Sequence, residues 1–340
     1  MKHKVVSWDS GTSFEKIVIG GGKDQQLKFP SNVYRVSDDD NFSVSKGNLT
    51  ENNLRIKFED TTYYVGKLAI EQDSKGGSRN FKGNGFTEPS EIAKFLVGMA
   101  YLTKENYIEI GLLMLDLNIM EYRSLEQQLS NIYKNKSFLF EIAGIEYQIV
   151  INNVKVNPQG VGCYYDQVLD FEGNVLESDL LNSRYAILDI GGRTVDGFIA
   201  EGIEPIDGTQ FGTEEGMTDA FKRVGQRLGV PWTLVENSYI TGKPLYYGHK
   251  RNIEESCRKE IQRLAERIYN EADSYWSKHL ARVSDILLCG GGGQSTVEHF
   301  ETLFDNKEVR LSENAQFANA NGNFKLGILM RRRANEEKTL

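Results

Sequence analysis

Val5–Ser7 and Ile17–Ile19 are strand-like, apolar but for Ser7, and the mostly polar, glycine-containing stretch WDSGTSFEK lies between them. This pattern predicts two short strands folded back on a tight turn. From about Asp38 to Asn53 the chain becomes rich in Asn, Asp and Ser, as an exposed insertion would be. RIKFED and TYYVG then read as strands flanking Asp60-Thr61. Thr87 or Ser90 can cap a helix that tolerates Pro89 in its first turn. Ile92, Phe95, Leu96, Met99 and Leu102 follow at the three- and four-residue steps of one buried helical face. YIEIGLLML, β-branched at its start and apolar nearly throughout, predicts a single buried central strand. A helix over 121–133 places Leu125, Leu129 and Ile132 on one side. Segments 138–142 and 145–151, joined by Ala143-Gly144, form a hairpin pattern, and VKVNPQGVG leads out of a strand at Pro158.

The second half repeats the opening theme. RYAILDIGG and VDGFIAEG read as a strand and its return, followed by helical stretches at 218–228 and 253–280. The longer of these carries Ile261, Leu264, Ile268 and Ala272 on one face. A strand DILLC runs into four glycines, and a final helix is expected near 318–333. Asp9-Ser10-Gly11 and Asp189-Ile190-Gly191 each follow an apolar strand and precede another, 180 positions apart. A lone Asp-x-Gly is a common turn. Two of them, half a chain apart, predict two lobes with one such hairpin each.

Length and charge narrow the function. A chain of 340 residues exceeds what one core usually supports, so two lobes are expected. With 40 basic against 48 acidic side chains, the net charge of −8 argues against holding DNA or RNA by overall charge. Arg331, Arg332 and Arg333 are the one tight basic run and read as a solvated helix end. Cys163, Cys257 and Cys289 are widely spaced and match no metal or redox motif. No apolar run approaches the roughly 20 residues of a membrane span, and the first residues lack a signal-peptide pattern. A cytoplasmic protein is expected.

Binding a nucleoside triphosphate requires backbone N–H groups close to phosphate oxygens, hence glycine, and hard oxygen ligands for a metal that keeps its waters. Asp9 and Asp189 offer the carboxylates, and Gly11, Gly191 and Gly192 offer backbone access. Ser10, Thr12, Ser13 and Thr194 add hydroxyls, and Lys16 can project a charge over the turn. GGGGQST lacks the lysine of a P-loop, and no strand-borne GxGxxG has its acidic partner. Gly290–Gly293 reads either as backbone for a nucleoside or as a plain strand-to-helix turn.

Five motifs in order, VVSWDSGTSFEK, VKVNPQGVG, LDIGGRTVD, ILLCGGGG and ENAQFANANG, resemble the actin, sugar-kinase and heat-shock-chaperone ATPase superfamily. LDLNIMEYRSLEQQL adds a resemblance to its plasmid-segregation ParM (StbA) type over nearly the whole chain. The resemblance implies an α/β, two-lobed actin-like fold, each lobe built on a ribonuclease-H-like mixed sheet with flanking helices; it implies one domain over 1–170, a second over 171–321, and a final helix at about 322–335 that packs back on the first. It implies Mg2+ and ATP as cofactors, with the choice between ATP and GTP open. Asp9 and Asp189 would hold the magnesium through water. Ser10, Gly11, Thr12, Ser13 and Lys16 would face the phosphates from one hairpin, and Gly191, Gly192, Arg193 and Thr194 from the other. Gly290, Gly291 and Gly292 would line the adenosine, and Gln159 would orient the attacking water. Arg193 departs from the usual small or hydroxylic residue, Phe14 and Glu15 are bulky for a phosphate loop, and the fourth glycine, Gly293, leaves the register open by one.

Three branches follow. One is a filament protein that associates head to tail and moves DNA through a small DNA-binding adaptor on a centromere-like site, with no direct nucleic-acid or membrane contact. The second is a non-polymerising chaperone-type or regulatory ATPase. The third is a small-molecule kinase, which would need a carboxylate base where the chain has Gln159 and none before Asp166.

Overall fold

The computed structural model describes residues 2–36, 48–72, 79 and 85–337. The chain divides into two compact units. The first comprises Met1–Leu117, Glu121–Val175 and Ala320–Leu340; the second comprises Asn118–Met120 and Leu176–Asn319. Both are mixed α/β.

Two sheets build the first unit. In the five-stranded one the order is Val154–Pro158, Leu113–Leu117, Val6–Ser10, Phe14–Val18, Gln26–Pro30. The first three of these are mutually parallel and the last two antiparallel. Pro158 ends an edge strand, where its missing N–H removes no ladder bond. The seven-stranded sheet contains the hairpin Lys136–Ile142/Ile145–Ile151, which turns through Ala143 and Gly144, both at positive φ. A second hairpin, Leu54–Phe58/Thr61–Val65, turns through Glu59 and Asp60 in the same left-handed region.

Between these sheets packs the helix Pro89–Thr103, touching strands of both. Ten successive residues from Glu91 to Ala100 are buried, so the helix is enclosed all round instead of showing one apolar face. Leu102, expected on that face, is half-buried. Its N-cap is Glu88, with Pro89 in the first turn and no side-chain cap bond; neither Thr87 nor Ser90 serves.

YIEIGLLML is two strands, not one. Tyr107–Ile110 joins the seven-stranded sheet and Leu113–Leu117 the five-stranded. The chain breaks at Gly111, where an added Cβ would lie 2.9 Å from the Lys4 carbonyl and 2.0 Å from the Arg331 guanidinium. The polar stretch 38–53 lies mostly outside the described residues.

A single mixed sheet organises the second unit, in the order Glu204–Pro205, Val195–Glu201, Arg184–Ile190, Asp285–Cys289, Glu308–Leu311. Phe211–Thr213 pairs separately with Val195–Glu201. The long helix Glu254–Trp276 buries Cys257, Ile261, Leu264, Ala265, Ile268, Ala272 and Trp276, a stripe at helical period. It stops at Trp276, short of the expected position 280, and the Trp276 indole donates to the Thr209 carbonyl at 2.8 Å. Helix Trp232–Thr241 and the hairpin Leu245–Tyr247/His249–Arg251 were not anticipated, whereas helix Gly293–Leu303 makes Gly290–Gly293 a strand-to-helix turn, one of the two readings of that run. The final helix, Ala318–Glu336, runs three residues beyond the expected end, and from Ala320 onward it groups with the first unit. Among the described residues no helix is long and apolar enough to cross a membrane.

Candidate functional site

In the first hairpin Asp9 pairs across the ladder with Lys16, and Ser10 with Glu15. The turn closes on itself: the Gly11 N–H donates to the Phe14 carbonyl at 3.1 Å, and a Cβ on Gly11 would come within 2.9 Å of that oxygen. The second hairpin repeats this construction. Its Gly191 N–H donates to the Thr194 carbonyl at 2.9 Å, and a Cβ on Gly191 would again lie 2.9 Å from that oxygen. Glycine is therefore demanded by the turn's own closure at both places.

Each hairpin ends a strand whose parallel neighbours end on the same side. In the first unit Leu113–Leu117 and Val154–Pro158 run beside Val6–Ser10, so Gln159 emerges two strands away from Asp9, roughly 10 Å at ordinary strand spacing. In the second unit Asp285–Cys289 and Glu308–Leu311 run beside Arg184–Ile190, so Gly290–Gly292 emerge beside Asp189. The outermost strands also leave their sheets alike: Gln159 N–H bonds the Leu117 carbonyl at 2.7 Å, and Ser312 N–H bonds the Leu288 carbonyl at 2.9 Å. Every residue singled out from sequence thus lies at the carboxyl ends of its own unit's parallel strands, the edge where open α/β sheets bind ligands.

The two carboxylates are buried with different companions. Asp9 Oδ2 accepts from Lys16 Nζ at 2.6 Å. Asp189 Oδ2 accepts from the Asn319 amide at 2.5 Å. Gly290, at φ +78°, presses against Asp189: a Cβ there would sit 2.4 Å from Oδ1. Gly292 is also a packing glycine, since its N–H bonds the Ile190 carbonyl at 2.8 Å and a Cβ would lie 2.5 Å from Ile190 Cγ2. At Gly291 the nearest atom to an added Cβ is Gln316 Nε2, 3.7 Å away. Gly293 opens the helix Gly293–Leu303.

Several side chains face partners that sequence reasoning did not foresee. The Ser10 hydroxyl donates to Glu15 Oε1 at 3.2 Å. Glu15 itself turns inward, fully buried, while Phe14 stays half-buried under Lys28 Nζ, 5.1 Å from its ring centre. Ser13 gives its carbonyl to the Ser31 N–H at 3.1 Å, and Thr12 is half-buried at the tip. Arg193 pairs with the exposed Glu214 at 3.7 Å, a contact worth little in water. The helix Met217–Leu228 was expected, but not that its first N–H groups bond the loop: Met217 to the Gly191 carbonyl and Thr218 to the Gly192 carbonyl at 2.8 Å. A Cβ on Gly216, its N-cap, would meet the Gly192 carbonyl at 2.5 Å. The signal was present as Gly216 followed by Asp219, whose carboxylate takes the Gly216 N–H at 3.2 Å.

Among the described residues no three His, Cys, Asp or Glu side chains gather as a metal cage. A magnesium nucleotide does not need one, because the ion keeps its waters and takes phosphate oxygens beside one or two carboxylates. Each unit supplies one buried carboxylate at its hairpin, Asp9 in the first and Asp189 in the second, a hard oxygen donor suited to such an ion.

A family model described as actin-like proteins, N-terminal domain, matches residues 7–162, and one described as archaeal actin homologue MreB-like, C-terminal, matches residues 187–302. The chain belongs to the actin-like proteins. Among solved structures it is similar to the actin-like protein Alp7A, with 15% identity, both chains covered in full and a TM-score of 0.79. It is similar to ParM from a 15-stranded filament of Clostridium botulinum, with 19% identity, 96% of this chain and 99% of that one covered, and a TM-score of 0.75. A third likeness is to Ta0583, an archaeal actin homologue in complex with ADP, with 19% identity, 95% and 98% coverage and a TM-score of 0.73. No curated protein matches the chain by sequence.

Proposed function

We propose that this actin-like protein is an ATPase whose two hairpins act on one Mg-ATP, and that it assembles head to tail into nucleotide-dependent filaments. The observation that carries the reading is the repeated Asp-x-Gly hairpin, closed by the same bond in each unit and lying at the carboxyl ends of parallel strands. Asp9 and Asp189 would hold the magnesium through water. Gly11, Ser13 and Lys16 would contact the phosphates from one hairpin, and Gly191, Gly192 and Thr194 from the other, with Gly291 along the adenosine. When bound, magnesium supplies charge neutralisation for the phosphates. Gln159 holds a water in line; an amide positions well and accepts a proton poorly, which suits a slow hydrolysis driven by positioning.

Filament formation is supported by the fold shared with ParM of a 15-stranded filament. A head-to-tail contact that does not close into a ring propagates into a polymer. Plasmid DNA would be moved through a small DNA-binding adaptor on a centromere-like site, in keeping with the net charge of −8. The kinase reading is weakened by Asp166, whose carboxylate is held by Lys325 at 2.7 Å and is nearly buried. Electron microscopy of the protein with Mg-ATP, and separately with Mg-GTP, tests the reading together with phosphate release. Filaments and turnover with one nucleotide are expected. Turnover without assembly at any concentration would favour the non-polymerising chaperone-type or regulatory ATPase.

A further inference from the structure

Behind the first hairpin lies a buried group of three charges that takes no part in the roles assigned above. Lys94 Nζ stands 2.6 Å from Glu15 Oε1 and 2.5 Å from Glu91 Oε2, and no side chain of the three is more than 4% exposed. Glu15 also accepts the Trp8 indole N–H at 2.8 Å and the Ser10 hydroxyl at 3.2 Å, so it grips the residues on either side of Asp9. Lys94 donates further to the Ser31 carbonyl at 3.3 Å, and the Ser31 hydroxyl donates to the Gly11 carbonyl. Both routes from Lys94 therefore end on the Asp9–Gly11 turn. Three charges withdrawn from water contribute little net stability, and apolar residues of similar volume could fill the space as well. Directed hydrogen bonds do what apolar packing cannot: they fix orientation.

We propose that Lys94, acting through Glu15 and Ser31, is a positioning residue for the first hairpin, so that nucleotide affinity depends on this triad. The inference rests on the nucleotide reading given above. Two carboxyl groups share one ammonium. Burial pushes the Glu91 carboxyl up to about 7 against the pull of Lys94. Desolvation lowers the Lys94 ammonium, but Glu15 and Glu91 outweigh it and hold it above its ordinary range. The other titratable groups that face the triad are Glu88 and the Tyr133 phenol, whose hydroxyl donates to the Phe86 carbonyl at 2.6 Å. Below neutrality Glu91 is protonated and Lys94 serves Glu15. Above it, a second negative charge appears behind the hairpin, competes for Lys94 and repels a triphosphate.

Calorimetric titration of the full chain with Mg-ATP across neutrality tests this. Wild-type affinity should fall on the order of fivefold as pH rises, and Glu91→Gln should remove that dependence, the nucleotide's own titration being common to both. Combining Glu15→Gln, Lys94→Met and Glu91→Gln leaves a neutral core that should melt no lower than wild type, yet bind Mg-ATP about tenfold more weakly. Wild-type affinity in that folded variant, or an unchanged pH profile in Glu91→Gln, would overturn the proposal. If the triple variant does not fold, the Glu91→Gln profile alone decides. A wild-type protein that binds no nucleotide at any pH would overturn the nucleotide reading and this inference together.

Discussion

The hairpins that carry Asp9 and Asp189 close by the same glycine-to-carbonyl bond, yet their carboxylates are kept in different company. Asp9 faces an ammonium from its own ladder partner, Lys16, seven residues away. Asp189 faces the amide of Asn319, 130 residues away, and the backbone of Gly290. One carboxylate is neutralised locally and the other is oriented by distant parts of its unit. A repeated backbone does not carry a repeated electrostatic environment: the turn comes from local sequence, while the field around it comes from whatever the topology brings alongside.

The largest expected effect strikes the second hairpin. Asp189→Ala should lower magnesium-dependent phosphate release about 1,000-fold, and unchanged hydrolysis would remove Asp189 from any metal role. Lys16→Met leaves a buried carboxylate unpaired and should cost about 3 kcal/mol in denaturant unfolding, whereas Asn319→Ala should cost about 1 kcal/mol. Equal costs would erase the contrast between the two carboxylates. Gly290→Ala drives a Cβ into Asp189 at a positive φ and should destabilise by about 2 kcal/mol, while Gly291→Ala should be nearly neutral. Reversal of that order would return Gly290 to a purely ligand-facing role. A purely kinetic effect is expected at the edge strand of the first unit. There Gln159→Ala should slow hydrolysis about tenfold with nucleotide affinity unchanged, prolonging any filament's lifetime by light scattering. Loss of filaments in a folded variant would end the water-orienting role.

Both hairpins were legible because Asp-x-Gly between two β-rich runs is a local signal, and local signals fix local turns. Ala143-Gly144 was legible for the same reason. YIEIGLLML misled because a continuous apolar run looks the same whether it serves one sheet or two; only Gly111 marked the break, and an isolated glycine is a weak mark. The cap of Pro89–Thr103 was misplaced because the Glu88 carbonyl, not a side chain, takes the Glu91 N–H, at 2.9 Å, and a backbone acceptor leaves no residue-type signal. The triad of Glu15, Glu91 and Lys94 could not be read at all, since charged residues on a helix are normally solvated and the partners lie up to 79 positions apart. Sequence reasoning found the backbone of both hairpins and missed the side chains that come to them from elsewhere in the fold.

The break at Gly111 has a thermodynamic consequence. Tyr107–Ile110 and Leu113–Leu117 are joined by two residues and belong to different sheets, so neither sheet can lose its strand without tugging on the other. The helix Pro89–Thr103, walled in by both, adds a shared interior. The twelve described strands of this unit should therefore melt in one cooperative step, with their slowest-exchanging amides protected to a common free energy.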